Sequence, residues 1–121
     1  MEATDLMIGD WVSYGNAYGK VWCLDEASDL VGLDLPDNMS TQDAHFEDIF
    51  PIPLTPEILE KNQFASEAYG NRTTYWTGGK FALVHFADTD TYSHNDIEMR
   101  YVHELQNTLR LCGIDERIEL Q

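Results

Sequence analysis

Four histidines, His45, His85, His94 and His103, are the side chains in this 121-residue chain best suited to moving protons or holding a metal. Metal centres draw His, Cys and carboxylates together, often at i, i+4 on a helix or alternating along a strand. The chain has no H-x-x-x-H, H-E-x-x-H or C-x-x-C. Its densest set is Asp88-Thr89-Asp90-Thr91-Tyr92-Ser93-His94-Asn95-Asp96. This opens D-x-D like an EF-hand loop, but Ser93 and Met99 stand where that loop needs its Gly and its Glu. Asp88, Asp90, His94 and Asp96 are therefore the candidates for a metal-dependent enzyme. A polar turn followed by a helix cap accounts for the same residues.

Nucleophilic chemistry has less behind it. There is no G-x-S-x-G, and Gly78-Gly79-Lys80 lacks the rest of a phosphate-binding loop. His103 and Glu104 are adjacent on a predicted helix, where neighbours point about 100° apart and cannot form a dyad alone. With 22 acids in the chain, a pair of carboxylates could be assembled anywhere and signals nothing. The expectation is a non-enzymatic protein without a cofactor.

Charge is the stronger signal. Seven bases against 22 acids leave a formal net charge of −15 and a pI near 4.2. Such a surface repels phosphate backbones and anionic membranes, so direct nucleic-acid or membrane binding is not expected. Hydrophobic residues at 43% are too many for a disordered acidic tail. The acidity is also uneven: Lys20 is the one base before residue 55, and Val21 to Glu60 holds ten acids with no Lys or Arg. Asp25, Glu26, Asp29, Asp34, Asp37, Asp43, Glu47 and Asp48 define a candidate face for a basic protein partner. Tyr18 and Trp22 add aromatic surface, which can grip a cation. Strand alternation sets Tyr18, Lys20 and Trp22 on one face, and Val21 and Cys23 on the other. A protein that mimics nucleic acid and occupies a DNA-binding protein is the narrower alternative.

The elements that position these residues read as α+β in a single domain, with a β-rich acidic half (1–54) and a second half (55–121). Strands are expected around Trp11–Tyr14, Tyr18–Leu24, Leu30–Leu35 and His45–Ile52, forming a small SH3-like barrel or β-meander. Thr55-Pro56-Glu57 is a helix start, with a hydroxyl N-cap and Pro at N1, opening a short linking helix to Asn62. Phe64–Tyr69 is ambiguous, and Gly70-Asn71 is a turn. Gly78-Gly79 joins a β-hairpin of Thr73–Thr77 and Lys80–Ala87. Asn95 as N-cap with Glu98 three residues on predicts a C-terminal amphipathic helix, packed on the sheet through Ile97, Tyr101, Val102, Leu105, Leu109 and Cys112. Gly113 ends it, and Ile118 and Leu120 suggest a strand returning to the sheet. Cys23 and Cys112, in apolar surroundings, read as buried reduced thiols, with a disulfide between the chain's two ends as the other option. No signal peptide or membrane-spanning stretch is evident, and the chain reads as cytoplasmic.

Three segments carry a resemblance: Ile8-Gly9-Asp10-Trp11-Val12, Pro51-Ile52-Pro53-Leu54-Thr55-Pro56-Glu57-Ile58-Leu59-Glu60-Lys61-Asn62-Gln63-Phe64, and Arg100-Tyr101-Val102-His103-Glu104-Leu105-Gln106-Asn107 with Ile97 before it. Their layout resembles a group of small uncharacterised proteins of gut bacteria, their phages and mobile elements. Those proteins show a G-N-x-V opening, an I-P-L-T-E-E-W-L-x-K-x-G-F middle and a Y-V-H-Q-L-Q-N helix. The chain departs from them at Asp10 for Asn, Pro56 for Glu, Ile58-Leu59 for Trp-Leu, Gln63 for Gly and Glu104 for Gln. The resemblance implies a mobile-element setting and no assigned activity. In the last motif His103, Gln106 and Asn107 flank the apolar stripe. They either hydrogen-bond within the fold or line a pocket.

Overall fold

A computed structural model describes residues 6–35, 40–77, 81–114 and 118–120. The chain divides into two compact units, 1–52 and 53–121. Each contains one five-stranded antiparallel sheet.

In the first unit the strands are β1 (Trp11–Tyr14), β2 (Ala17–Asp25), β3 (Leu30–Leu35), β4 (Ser40–His45) and β5 (Ile49–Phe50). Their order across the sheet is β4-β3-β2-β1-β5, curled into a half-barrel, with a single 3-10 turn, Phe46–Asp48, between β4 and β5. The alternation of β3 explains the curl's inside. Val31, Leu33 and Leu35 join Val12, Val21, Ala44, Phe46 and Ile49 in one buried cluster, while Gly32 and Asp34 face the other way.

The β2–β3 pairing is not regular. Val21 opposes Leu33, but Cys23 opposes Gly32 and Leu24 opposes Val31, so the register slips between Val21 and Cys23. Trp22 is the extra residue of a β-bulge. The slip corrects the alternation expected from sequence. Beyond the bulge it is Leu24, not Cys23, that packs against the cluster with Val21. Period-2 reasoning assumes an unbroken ladder and fails at one inserted residue.

The second unit opens with α1 (Pro56–Lys61), started as its sequence requires: Thr55 Oγ1 accepts from the Ile58 N–H at 3.3 Å. Leu59 is fully buried and Ile58 partly. Strands β6 (Ala65–Tyr69), β7 (Arg72–Thr77), β8 (Phe81–Phe86), β9 (Thr91–His94) and β10 (Ile97–Met99) follow in simple up-and-down order. The ambiguous segment is thus a strand, paired with β7 across Gly70-Asn71, where Gly70 has φ of 64°. β7 and β8 pair as expected, with Thr77 opposite Phe81; the Gly78-Gly79 turn itself lies outside the described residues.

The last helix, α2 (Val102–Leu111), begins later than the periodicity suggests. Asn95 and Asp96 are not its cap. Both have positive φ, 46° and 70°, and form the two-residue turn between β9 and β10. Ile97 is accordingly an exposed strand residue and not part of the helix stripe. The capping carboxylate is Glu104, whose Oε1 accepts from the N–H groups of Arg100 at 2.8 Å and Tyr101 at 3.1 Å. The helix closes at Gly113 (φ 73°), with the Gly113 N–H bonded to Arg110 O and the Ile114 N–H to Leu109 O. The tail segment 118–120 is buried at Ile118 and Leu120 but forms no strand. It is tied instead to Asn62, which donates to Glu119 O at 2.9 Å and accepts from Glu119 N at 2.7 Å. Among the described residues no helix is long and apolar enough to cross a membrane.

Candidate functional site

The outer face of the first sheet carries the most distinctive surface in the chain. Gly32 points outward from β3, and a Cβ built there would lie 2.9 Å from Trp22 Cε2 and Nε1 and 3.2 Å from Cys23 Cβ. The missing side chain therefore leaves room for the Trp22 indole to lie against the β3 backbone. The residue is still 51% exposed, so the side chain is braced against β3 on one side and open to solvent on the other. Asp43 stands directly opposite Gly32 on β4, and Asp34 lies two residues along β3 on the same outer face. Both carboxylates are exposed.

The neighbouring rung runs Trp11, Lys20, Asp34, Thr41 across four strands. Lys20 Nζ lies 5.3 Å from the centroid of the Trp11 ring, a cation–π contact. The single cation of this half is thus already engaged with an aromatic face. Tyr18, further along β2, is 40% exposed.

The other candidate acids lie elsewhere in the first unit. Asp25, Glu26 and Asp29 occupy the exposed β2–β3 turn, where Asp25 Oδ1 accepts from Ser28 N at 3.2 Å and Asp29 has φ of 55°. His45 is hydrogen-bonded to this turn, its Nδ1 3.2 Å from Asp29 O and 3.6 Å from Asp29 Oδ2. Glu47 and Asp48 lie in the 3-10 turn that follows and are exposed. Asp37 lies outside the described residues. The seven described acids therefore do not share one sheet face: Asp34 and Asp43 stand with Trp22, and the other five follow the turns.

The acidic loop of the second unit spreads its groups apart. Asp88 Oδ2 accepts from Asn71 Nδ2 at 2.9 Å, Asp90 Oδ1 meets His85 Nε2 at 2.8 Å, and His94 Nδ1 lies 2.6 Å from Ala82 O. Among the described residues no group of three His, Cys, Asp or Glu side chains could hold a metal ion. Next to this loop, Tyr92 is 1% exposed and its hydroxyl has no hydrogen-bond partner. Its ring stacks on His85 at 4.4 Å. Burial, then the nearness of Tyr75, Asp90 and Glu57, pushes its phenol well above the ordinary value of 10.0. Tyr75 is raised by burial, then by Glu60 and Glu57.

On α2, His103 and Gln106 are buried, and Asn107 Oδ1 accepts from Arg110 Nη1 at 2.8 Å. His103 Nδ1 has no hydrogen-bond partner, and its ring lies parallel to that of Tyr101 at 6.0 Å. The two cysteines are free, which leaves no disulfide between the chain's ends. Cys112 is exposed, contrary to the burial expected from its leucine neighbours, because it follows the last turn of α2 where the apolar stripe has ended.

No protein-family model, no curated protein and no solved structure matches this chain.

Sequence reasoning placed Trp22, Asp34 and Asp43 in one candidate face but could not separate them from the acids of the turns. The bulge and the role of Gly32 were missed. The one available signal was a glycine within a strand rich in Val and Leu, which marks a close approach of another group.

Proposed function

We propose that the first unit is a small SH3-like barrel that works as a protein-interaction module, docking a cationic segment of a partner protein on its outer sheet face. The strand order β4-β3-β2-β1-β5 and the 3-10 turn ahead of β5 support the barrel reading. One observation carries the functional reading: the Trp22 indole is braced over Gly32 and open to solvent, with Asp34 and Asp43 exposed on the same face. An aromatic face attracts an Arg or Lys head group, and adjacent carboxylates complete its hydrogen bonds. Lys20 over Trp11 shows the same chemistry inside the chain. The lone-signed field of this half would speed the encounter with such a partner.

We place the protein in the cytoplasm of a host carrying a phage or mobile element, on the three sequence motifs. Two of the chain's departures from those motifs suit the local structure. Asp10, where the group has Asn, uses a side-chain oxygen to accept from the Met7 N–H at 2.8 Å, which either residue can do. Glu104, where the group has Gln, fills a capping position open to both.

The reading is tested by calorimetry with an Arg- and Lys-rich peptide. Binding should weaken steeply with added salt and fall about tenfold in Trp22→Ala. Absence of binding, or equal affinity in Trp22→Ala, would overturn it. Displacement of DNA from a DNA-binding protein by the intact chain, unaffected by Trp22→Ala, would favour nucleic-acid mimicry instead.

A further inference from the structure

Cys112 and His94, both in the second unit, form a thiol–imidazole pair that docking on the first sheet does not use. Cys112 is exposed and its Sγ lies 3.6 Å from His94 Nε2. His94 Nδ1 lies 2.6 Å from the carbonyl oxygen of Ala82. A carbonyl can only accept, so Nδ1 carries the ring proton and Nε2 presents its lone pair. Asn95 Nδ2, a donor, also faces Nε2, at 3.4 Å, in keeping with that tautomer. Phe81 stacks on the imidazole at 4.3 Å with 24° between the planes, which fixes the ring's tilt. The thiol therefore lies within reach of a base that a third group orients, the arrangement that activates a nucleophile. Cys23, half-buried beside Trp22, has no hydrogen-bond partner of this kind among the described residues.

We propose that Cys112 is a thiol modification site that forms mixed disulfides with low-molecular-weight disulfides, with His94 as its base. Sγ attacks one sulfur of R–S–S–R while its proton passes to His94 Nε2. The S–S bond breaks, the second sulfur leaves as RS⁻, and it takes the proton back from His94. The products are Cys112–S–S–R and RSH, the added disulfide being the only oxidant.

The test treats the full chain with oxidised glutathione at neutral pH and locates the adduct by peptide mass mapping. Rates are scaled to a free cysteine peptide in the same solvent. Cys112 should react roughly tenfold faster than Cys23, and roughly tenfold faster in the native chain than in the urea-unfolded one. His94→Gln, checked for native circular dichroism, should remove that gain. A native Cys112 no faster than the unfolded one, earlier modification of Cys23, or an unchanged rate in folded His94→Gln would each overturn the proposal. The native-to-unfolded comparison decides the matter even where the variant fails to fold.

Discussion

Gln63 sits where the backbone turns left-handed at the end of α1, with φ of 66°. Its N–H bonds to Glu60 O and the Phe64 N–H to Leu59 O, the pairing that closes a helix through a C′ residue. A side chain there is strained by about 1 kcal/mol. Gln63→Gly should therefore raise stability by about 1 kcal/mol, read as a higher urea midpoint with unchanged slope. Tyr92 carries a different local cost, a buried hydroxyl with no partner. Tyr92→Phe should leave the melting temperature at neutral pH equal or higher. The same variant tests the alkaline limb. Unfolded tyrosine ionises near pH 10, while burial holds Tyr92 protonated to higher pH. Above pH 10 the folded state thus binds more protons than the unfolded one, and stability falls as pH rises. Thermal melts between pH 9 and 11 should show a smaller loss in Tyr92→Phe than in the wild type. Tyr75, raised in the same direction, retains the remainder.

At the scale of elements, what could be read from sequence was whatever chemistry is local. The Thr55 cap, the proline at N1 and the Gly113 stop depend on one residue and its nearest backbone, and all three are found. The start of α2 was misread because Asn95-Asp96 suits two structures equally. Asn and Asp cap helices, and they also tolerate the positive φ of a tight hairpin. Pairing between β9 and β10 decided the matter, and no local pattern contains it. The N-cap is Tyr101, its N–H held by the Glu104 carboxylate one turn in, so Glu104→Ala should cost about 1 kcal/mol, while Glu104→Gln, which keeps the acceptor oxygen, should cost much less. Chemical denaturation of the two variants side by side checks this ordering. The bulge at Trp22 was illegible for the same reason as β9–β10, since register is a property of two strands and Gly32 lies ten residues away in the chain.

Across the whole molecule, a net charge of −15 argues against phosphate-bearing partners without selecting another. Reading it along the chain located the excess in the first half, where eight acids follow Lys20 without an intervening base. The structure divides those acids further. Of the seven that are described, five lie at turns, and Asp34 and Asp43 remain on the sheet face that also presents Trp22. Composition could not make that division, because exposure and facing arise only when strands pair. The docking reading thus rests on two carboxylates and one aromatic ring, with the remaining charge acting at long range. Amide and indole NMR of the chain, titrated with an Arg- and Lys-rich peptide, tests this most directly. Shifts should concentrate on the Trp22 indole N–H and the amides of Gly32, Asp34 and Asp43, and disappear at about 0.5 M salt. Shifts spread evenly over the acids of both units, or a Trp22 indole that does not move while the peptide binds, would contradict it.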